Sequence, residues 1–394
     1  MAEEIVLLEG VRTPYGKFGG SLRAVGANDL GAVAAKGAMK RAGVEPKDVQ
    51  HVVFGNVMQT GGESIYCARH VGLKAGIPIE TPALTLNRLC GSGLQAIITA
   101  AQMILLGEAD VVLAGGTENM SQTPHIVRNA RWGMDLGRPP KLEDLLWEGL
   151  LDTYSGDSMG MTAENLAKKY SISREETDTF ALRSQQAAKA AIDAGRLAEE
   201  IVPVEVTVRG RTVLVDKDEH PRPETTMESL AKLSPSFSKE GVVTAGNASG
   251  IVDGAAAVVV TTAKVARERG YKVLGRLVSW GYAGVEPKFM GIGPVPSSKN
   301  ALARAGLKLD QIDLIEVNEA FSPQYIACEK ELGLDRNKVN VNGGAVALGH
   351  PLGSTGTRTT LTVLYELRRR KQKLGLSTMC IGGGQGIAGI VELA

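Results

Sequence analysis

Asn87-Arg88-Leu89-Cys90-Gly91-Ser92-Gly93 is the stretch from which the chain is best read. A short β-like run, Ala83 to Leu86, precedes it. Leu94, Ile97, Ile98, Ala101, Ile104 and Leu105 follow at helical spacing and share one face. Cys90 therefore falls at a strand-to-helix turn, at the start of a helix. Free backbone N–H groups and the positive end of the helix dipole meet a thiol there, and both favour the thiolate. Gly91 and Gly93 are expected to leave room for a substrate to approach the backbone. The layout is that of a nucleophile elbow with Cys in place of Ser, at a different glycine spacing. A cysteine in an apolar setting is ordinarily an inert small hydrophobe. The glycines on the helix side of Cys90 favour the functional reading.

Outward from this turn, the bulk properties narrow the class. The chain has 394 residues, with 44 Lys and Arg against 43 Asp and Glu. Charge this balanced gives no basic face for nucleic acid, and 4% aromatics leave little for base stacking. Forty-eight glycines with Ala-rich helices and short Val/Ile/Leu runs fit a closely packed α/β enzyme. Cys67, Cys90, Cys328 and Cys380 are far apart and form no metal-type pair, so no metal is expected. The acidic N-terminus shows no signal or transit pattern, and no apolar run approaches ~20 residues. No membrane association is expected, and a reducing compartment is: the cytoplasm, or the mitochondrial matrix in a eukaryote.

Taken in order, the first section carries strands at Ile5–Leu8, Val52–Phe54 and Val111–Ala114, and a helix at Asp29–Ala42 closed by Gly43. From about Ser121 to Gly250 the texture turns polar, with a capping box at Ser173-Arg174-Glu175-Glu176 and an alternating strand at Val202–Val208. This reads as a lid-like insertion. Ala255 to Thr261 returns to the core. The third section then repeats the first. Leu314–Val317 echoes Val52–Phe54, and the Gly-rich turn Gly343–Gly356 with its helix Thr359–Arg370 echoes the Cys90 turn and helix. Ser377–Ile381, ending in Gly382-Gly383-Gly384, echoes the strand ending at Gly115-Gly116. Matches in the same order imply two related halves. The expected division is 1–120 with 250–272 for the first half, 121–249 for the insertion and 273–394 for the second half. In open α/β sheets, sites lie at the carboxyl ends of strands. Cys90, Asn318, His350 and Cys380 all fall on such ends or turns. Singly, His350 reads equally well as a core histidine and Asn318 as a turn residue. Together they read as a nucleophile, a base and an acid/base partner.

These motifs resemble the thiolase family from end to end. The resemblance rests on Asn87–Gly93, Gly115–Ser121, Asn247–Ala256, Asn318–Phe321, Gly343–Pro351 and Cys380–Gly386. The run from Ala68-Arg69-His70 through Thr81–Leu84 to Gly93 is most similar to mitochondrial-type 3-ketoacyl-CoA thiolases and their bacterial relatives. The resemblance implies a five-layered αβαβα core with an inserted lid, and reversible CoA-dependent cleavage of a 3-ketoacyl-CoA or its reverse condensation. It implies Cys90 as acyl carrier, His350 as base and Cys380 as the acid/base for the enolate. Asn318 with His350, and the N–H groups of Cys90 and Gly382, would stabilise the two oxyanions. Ser249, Ser229 and Arg222 would meet the CoA tail, and Met159, Met290 and Phe321 its reactive end. CoA and acyl-CoA are then substrates, with no permanently bound cofactor. A dimer paired into a tetramer is implied, with contacts through the loop His125–Arg138. Cys90 and Cys380 would also lie close enough for an oxidant to join them.

Two departures from the pattern stand out. Ser158-Met159-Gly160 has Ser where short-chain relatives carry His, which argues against a strictly short-chain preference. Ser354-Thr355-Gly356 replaces Ala-Ser-Gly, all small residues, and is expected to matter little. A decarboxylating condensing enzyme of the ketoacyl synthase type remains the alternative, disfavoured by Cys380. So does a non-catalytic acyl-CoA-binding protein, disfavoured by the intact Cys90, His350 and Cys380.

Overall fold

The computed structural model describes residues 3–394. The first section supplies strands β1 (Ile5–Leu8), β2 (His51–Gly55), β3 (Ala83–Leu86), β4 (Val111–Asn119) and β5 (Val252–Thr262). It also supplies helices α1 (Ala27–Ala42), α2 (Cys67–Lys74) and α3 (Ser92–Leu105). Between β4 and β5 lie α4 (Met159–Lys169) and α5 (Arg174–Asp193), the latter opened by the expected Ser173/Glu176 capping box. The second section adds β6 (Val273–Gly284), β7 (Leu314–Val317), β8 (Leu374–Ile381) and β9 (Gln385–Leu393). Its helices are α6 (Pro294–Ala305), α7 (Ser322–Leu332) and α8 (Leu352–Arg370).

Strand order runs β7-β8-β9-β6-β1-β5-β4-β2-β3. Within it the internal repeat is explicit. In the first half β3, β2 and β4 run parallel, then β5 and β1 antiparallel. In the second, a parallel bridge at Val339 stands where β3 would be, then β7 and β8 run parallel, and β9 and β6 antiparallel. The halves join through the antiparallel β1–β6 pair, whose register slips at Leu7/Leu8. Such irregularities bend a sheet, and here the two halves turn to face the same pair of helices. Helices α3 and α8 fill the space between them, and one apolar cluster there draws on both halves, including Leu94, Ile97, Val258, Leu361, Met379 and Ile387. α1 and α2 cover the outer face of the first half, and α6 and α7 that of the second. The result is the αβαβα layering. Every residue of β4 and β5 is buried, as strands covered on both faces require. Paired segments between β4 and β5 form two-stranded sheets of their own and add no strand to the large sheet.

Two expected boundaries move furthest. Strand β4 does not stop at Ala114 but continues through Gly115-Gly116 to Asn119. Helix α8 begins at Leu352, not Thr359. One packing contact explains both: a Cβ on Gly116 would lie 1.8 Å from the carbonyl oxygen of Gly353. The glycines that read as turn signals are there so that the first turn of α8 can rest on the strand end. Glycine's poor helix propensity is overridden by that burial.

Candidate active site

Cys90 sits in a tight 3₁₀ turn, Leu89–Gly91, between β3 and α3. The motif residues hold this turn shut. The amide of Leu89 donates to Asn87 Oδ1 at 2.9 Å, and that of Arg88 to Ser92 Oγ at 2.9 Å. Ser92 Oγ in turn donates to the Leu89 carbonyl at 2.7 Å. These bonds sustain a left-handed Leu89 with φ 48°, a strained geometry for a branched residue. Gly91 and Gly93 do not face a substrate, contrary to the expectation above. A Cβ on Gly91 would lie 2.7 Å from Ile381 Cδ1, and one on Gly93 2.6 Å from the Thr357 nitrogen. They let the nucleophile turn dock on β8 and α8.

The carboxyl ends of the second half meet this turn. Asn318 follows β7, Cys380 is the penultimate residue of β8, and His350 directly precedes Pro351 and α8. The backbone N–H groups of Gly382 and of Cys90 itself act on the Cys90 sulfur and favour its charged form. Asn318 Nδ2 lies 3.3 Å from His350 Nε2, and Thr355 Oγ1 lies 2.7 Å from His350 Nδ1. Cys380 is fully buried among Met290, Phe321 and Ala163, with Met159 beside it.

Electrostatics correct one expectation. The helix start does not produce a resting thiolate. One edge of Cys90 is open to the cavity, but the dense protein around it pushes the thiol up to about 11, against the pull of the two N–H groups. Burial and the nearby Arg358 guanidinium hold His350 down to about 3. Burial and the charge of Cys90 raise Cys380 well above an ordinary thiol. At neutral pH all three groups are uncharged, and a proton must move as bonds change.

A cavity of about 540 Å³ opens onto the thiol, a size suited to a small-molecule site. Cys90 and His350 lie in its wall with Met159, Met290 and Phe321. Ser249 and Arg222 also line it, while Ser229 does not. The Ser229 hydroxyl donates to the Thr226 carbonyl at 2.8 Å and, with Thr226, closes the capping box of a short helix. Asn318, Cys380 and Gly382 stand just behind the wall.

Five participants escaped the sequence reading. Trp147 and Phe237 stack with ring centroids 6.3 Å apart, and Phe237 meets Phe321 edge-on, building one side of the cavity. His220 is also in the wall, and its Nδ1 lies 2.8 Å from the Ala347 carbonyl oxygen. Glu118 is fully buried. It accepts from the amides of Met58, Val57 and Gly353 at 2.8, 3.2 and 2.9 Å, and from Asn56 Nδ2 at 3.2 Å. It thereby ties β4 to the loop beneath Cys90 and to the start of α8. Thr355, expected to be inconsequential, touches the base. Only Glu118 left a signal, as a charged residue inside a Gly-rich strand end.

Residues 5–264 match the family model of the thiolase N-terminal domain, and residues 271–393 that of the thiolase C-terminal domain. The chain is 52% identical to the mitochondrial 3-ketoacyl-CoA thiolase of Homo sapiens, over 98% of this chain and 99% of that protein. It is 50% identical to an acetyl-CoA acetyltransferase of Syntrophomonas wolfei subsp. wolfei, over the full length of both. The crystal structure of human mitochondrial 3-ketoacyl-CoA thiolase in complex with CoA superposes with a TM-score of 0.97 at 52% identity, covering 100% of this chain and 98% of that one. Layering, internal repeat, motifs and full-length similarity agree, and the chain belongs to the thiolase family.

Proposed function

We propose that the protein transfers acyl groups between Cys90 and coenzyme A, cleaving 3-ketoacyl-CoA to acetyl-CoA and a shortened acyl-CoA and, in reverse, condensing acetyl-CoA. The observation that carries this reading is Cys90 and His350 sharing the wall of one cavity, with the Gly382 and Cys90 N–H groups acting on the sulfur. Cys90 Sγ attacks the keto carbon while its proton passes to His350 Nε2. The keto oxygen becomes an oxyanion facing the N–H groups of Cys90 and Gly382. Donors of this kind commonly contribute about 2.7–4 kcal/mol each. Carbon–carbon cleavage then leaves the enolate of acetyl-CoA, its oxygen facing His350 and Asn318. Cys380 gives its proton to the enolate carbon. A second CoA takes the acyl group from Cys90, and over the cycle its thiol proton replaces the one given to the enolate.

The apolar reactive end formed by Met159, Met290 and Phe321, with Ser249 and Arg222 further out, supports binding of an acyl-CoA here. Names of both the degradative and the synthetic kind among similar proteins support both directions. Residues 121–249 would act as the lid, on the ground that they build the outer wall of the cavity and stand outside the large sheet. Highly exposed Trp132 and Leu136 support a dimer of dimers joined through the loop His125–Arg138. The four free cysteines fit a reducing compartment. Among the described residues, no helix is long and apolar enough to cross a membrane.

The test is incubation with CoA and 3-ketoacyl-CoAs of graded chain length, with products identified by mass spectrometry. Acetyl-CoA together with the acyl-CoA two carbons shorter is expected. No product at any chain length sinks the reading.

A further inference from the structure

Thr355 lies in the first turn of α8 and is fully buried. Its hydroxyl has two neighbours at hydrogen-bond distance other than its own backbone: the Pro351 carbonyl oxygen at 3.0 Å and His350 Nδ1 at 2.7 Å. The hydroxyl donates to the Pro351 carbonyl, the familiar bond of a helical Thr to the residue four back. What remains toward His350 is a lone pair. A lone pair there is matched by a proton on Nδ1, which leaves Nε2 bare. The contact on the other side of the ring agrees, because Asn318 Nδ2 donates toward Nε2 from 3.3 Å.

We propose that Thr355 is the positioning residue that fixes the tautomer of His350, keeping the proton on Nδ1 so that Nε2 is the free base. The inference rests on the acyl-transfer reading above and names how its base is prepared. One proton moves: the S–H bond of Cys90 breaks and an Nε2–H bond forms, while the other ring proton stays on Nδ1, hydrogen-bonded to Thr355 Oγ1. Among the described residues, no carboxylate hydrogen-bonds the ring to offset the imidazolium formed. The side chains that hydrogen-bond the ring are Asn318 and Thr355, and the charge acting on it is the cation Arg358. A dipolar acceptor at Nδ1 is therefore what supports the protonated ring. Its placement is rigid, because the start of α8 is pinned by the Gly353 amide donating to Glu118 at 2.9 Å. The reading of Ser354-Thr355-Gly356 changes accordingly. A Ser in place of Thr355 would offer the same oxygen, so the hydroxyl matters and not the size.

The experiment compares Thr355→Val, which keeps shape and loses the oxygen, with Thr355→Ser, which keeps the oxygen and loses a methyl. In 3-ketoacyl-CoA cleavage, Thr355→Val should lower kcat by about 10²-fold or more, the scale of general-base catalysis, with KM within about threefold. Thr355→Ser should stay within about threefold of wild type. A packing role predicts the reverse order, and Val performing as well as Ser overturns the proposal. Ring ¹⁵N shifts of histidine-labelled wild type, with His350 assigned by difference to His350→Ala, give a second readout that needs no variant of Thr355. A protonated Nδ1 and a bare Nε2 are expected, and a proton on Nε2 overturns the proposal. If wild type cleaves no 3-ketoacyl-CoA, the acyl-transfer reading fails while the ring shifts still decide the tautomer.

Discussion

Gly382, just past the end of β8 in the second half, brings its backbone N–H to bear on the sulfur of Cys90, at the head of α3 in the first half. The two ends of an internal repeat thus meet at one atom. Neither half holds a complete site, since the second N–H at that sulfur is Cys90's own.

This relationship separates the two cysteines. Cys90→Ala removes the acyl carrier and should abolish acylation and turnover. Cys380→Ala leaves the nucleophile and its N–H groups, and overall turnover should fall by about 10²–10⁴-fold. Exchange of acetyl groups between acetyl-CoA and labelled CoA forms no enolate, so it should survive in part. If Cys380→Ala loses exchange as fully as turnover while staying folded, the division of labour is wrong.

The resting thiol has a pH signature. With Cys90 pushed up to about 11 and His350 down to about 3, no thiolate–imidazolium pair exists near neutrality in the free protein. Alkylation of Cys90 by iodoacetamide, followed by peptide mapping, should keep rising beyond pH 9. A plateau between about pH 6 and 8 would instead reveal a preformed ion pair.

Glu118 should make stability pH-dependent. Burial raises its carboxyl to about 7, above the ordinary value near 4.5. The folded protein then binds the proton more tightly than the unfolded chain, so this group's contribution falls as pH rises from about 4.5 to 7. Relative to Glu118→Gln, wild type should lose about 3 kcal/mol across that window. Denaturant unfolding at pH 5 and pH 8, at one protein concentration, measures it. An unchanged difference would show that Glu118 stays ionised throughout.

Assembly is testable through the exposed loop. Trp132 is 84% exposed and Leu136 fully so in the single chain. The assembly proposed above would cover these groups. Light scattering at micromolar protein should report a tetramer for wild type and a dimer for Trp132→Glu. A stable wild-type monomer would refute the assembly proposed here.

Local chemistry along the chain determined a good deal by itself. The nucleophile turn was legible because its determinants are neighbours in sequence: Asn87 and Ser92 bond to the backbone within a few residues of Cys90. Strands such as Leu314–Val317 and the capping box at Ser173 were legible for the same reason, as was the repeat that placed His350, Asn318 and Cys380 on matching ends. What only the tertiary structure decided arises between segments distant in sequence. The Gly116–Gly353 contact turned apparent loops into strand and helix. Density around Cys90 reversed the pull of the helix start on its thiol, since desolvation depends on all the protein nearby. Ser229 turned out to cap a helix, away from the cavity wall. Thr355 acquired its role because the strand ends hold α8 where one hydroxyl lies 2.7 Å from His350 Nδ1, a distance that no spacing of residues along the chain encodes.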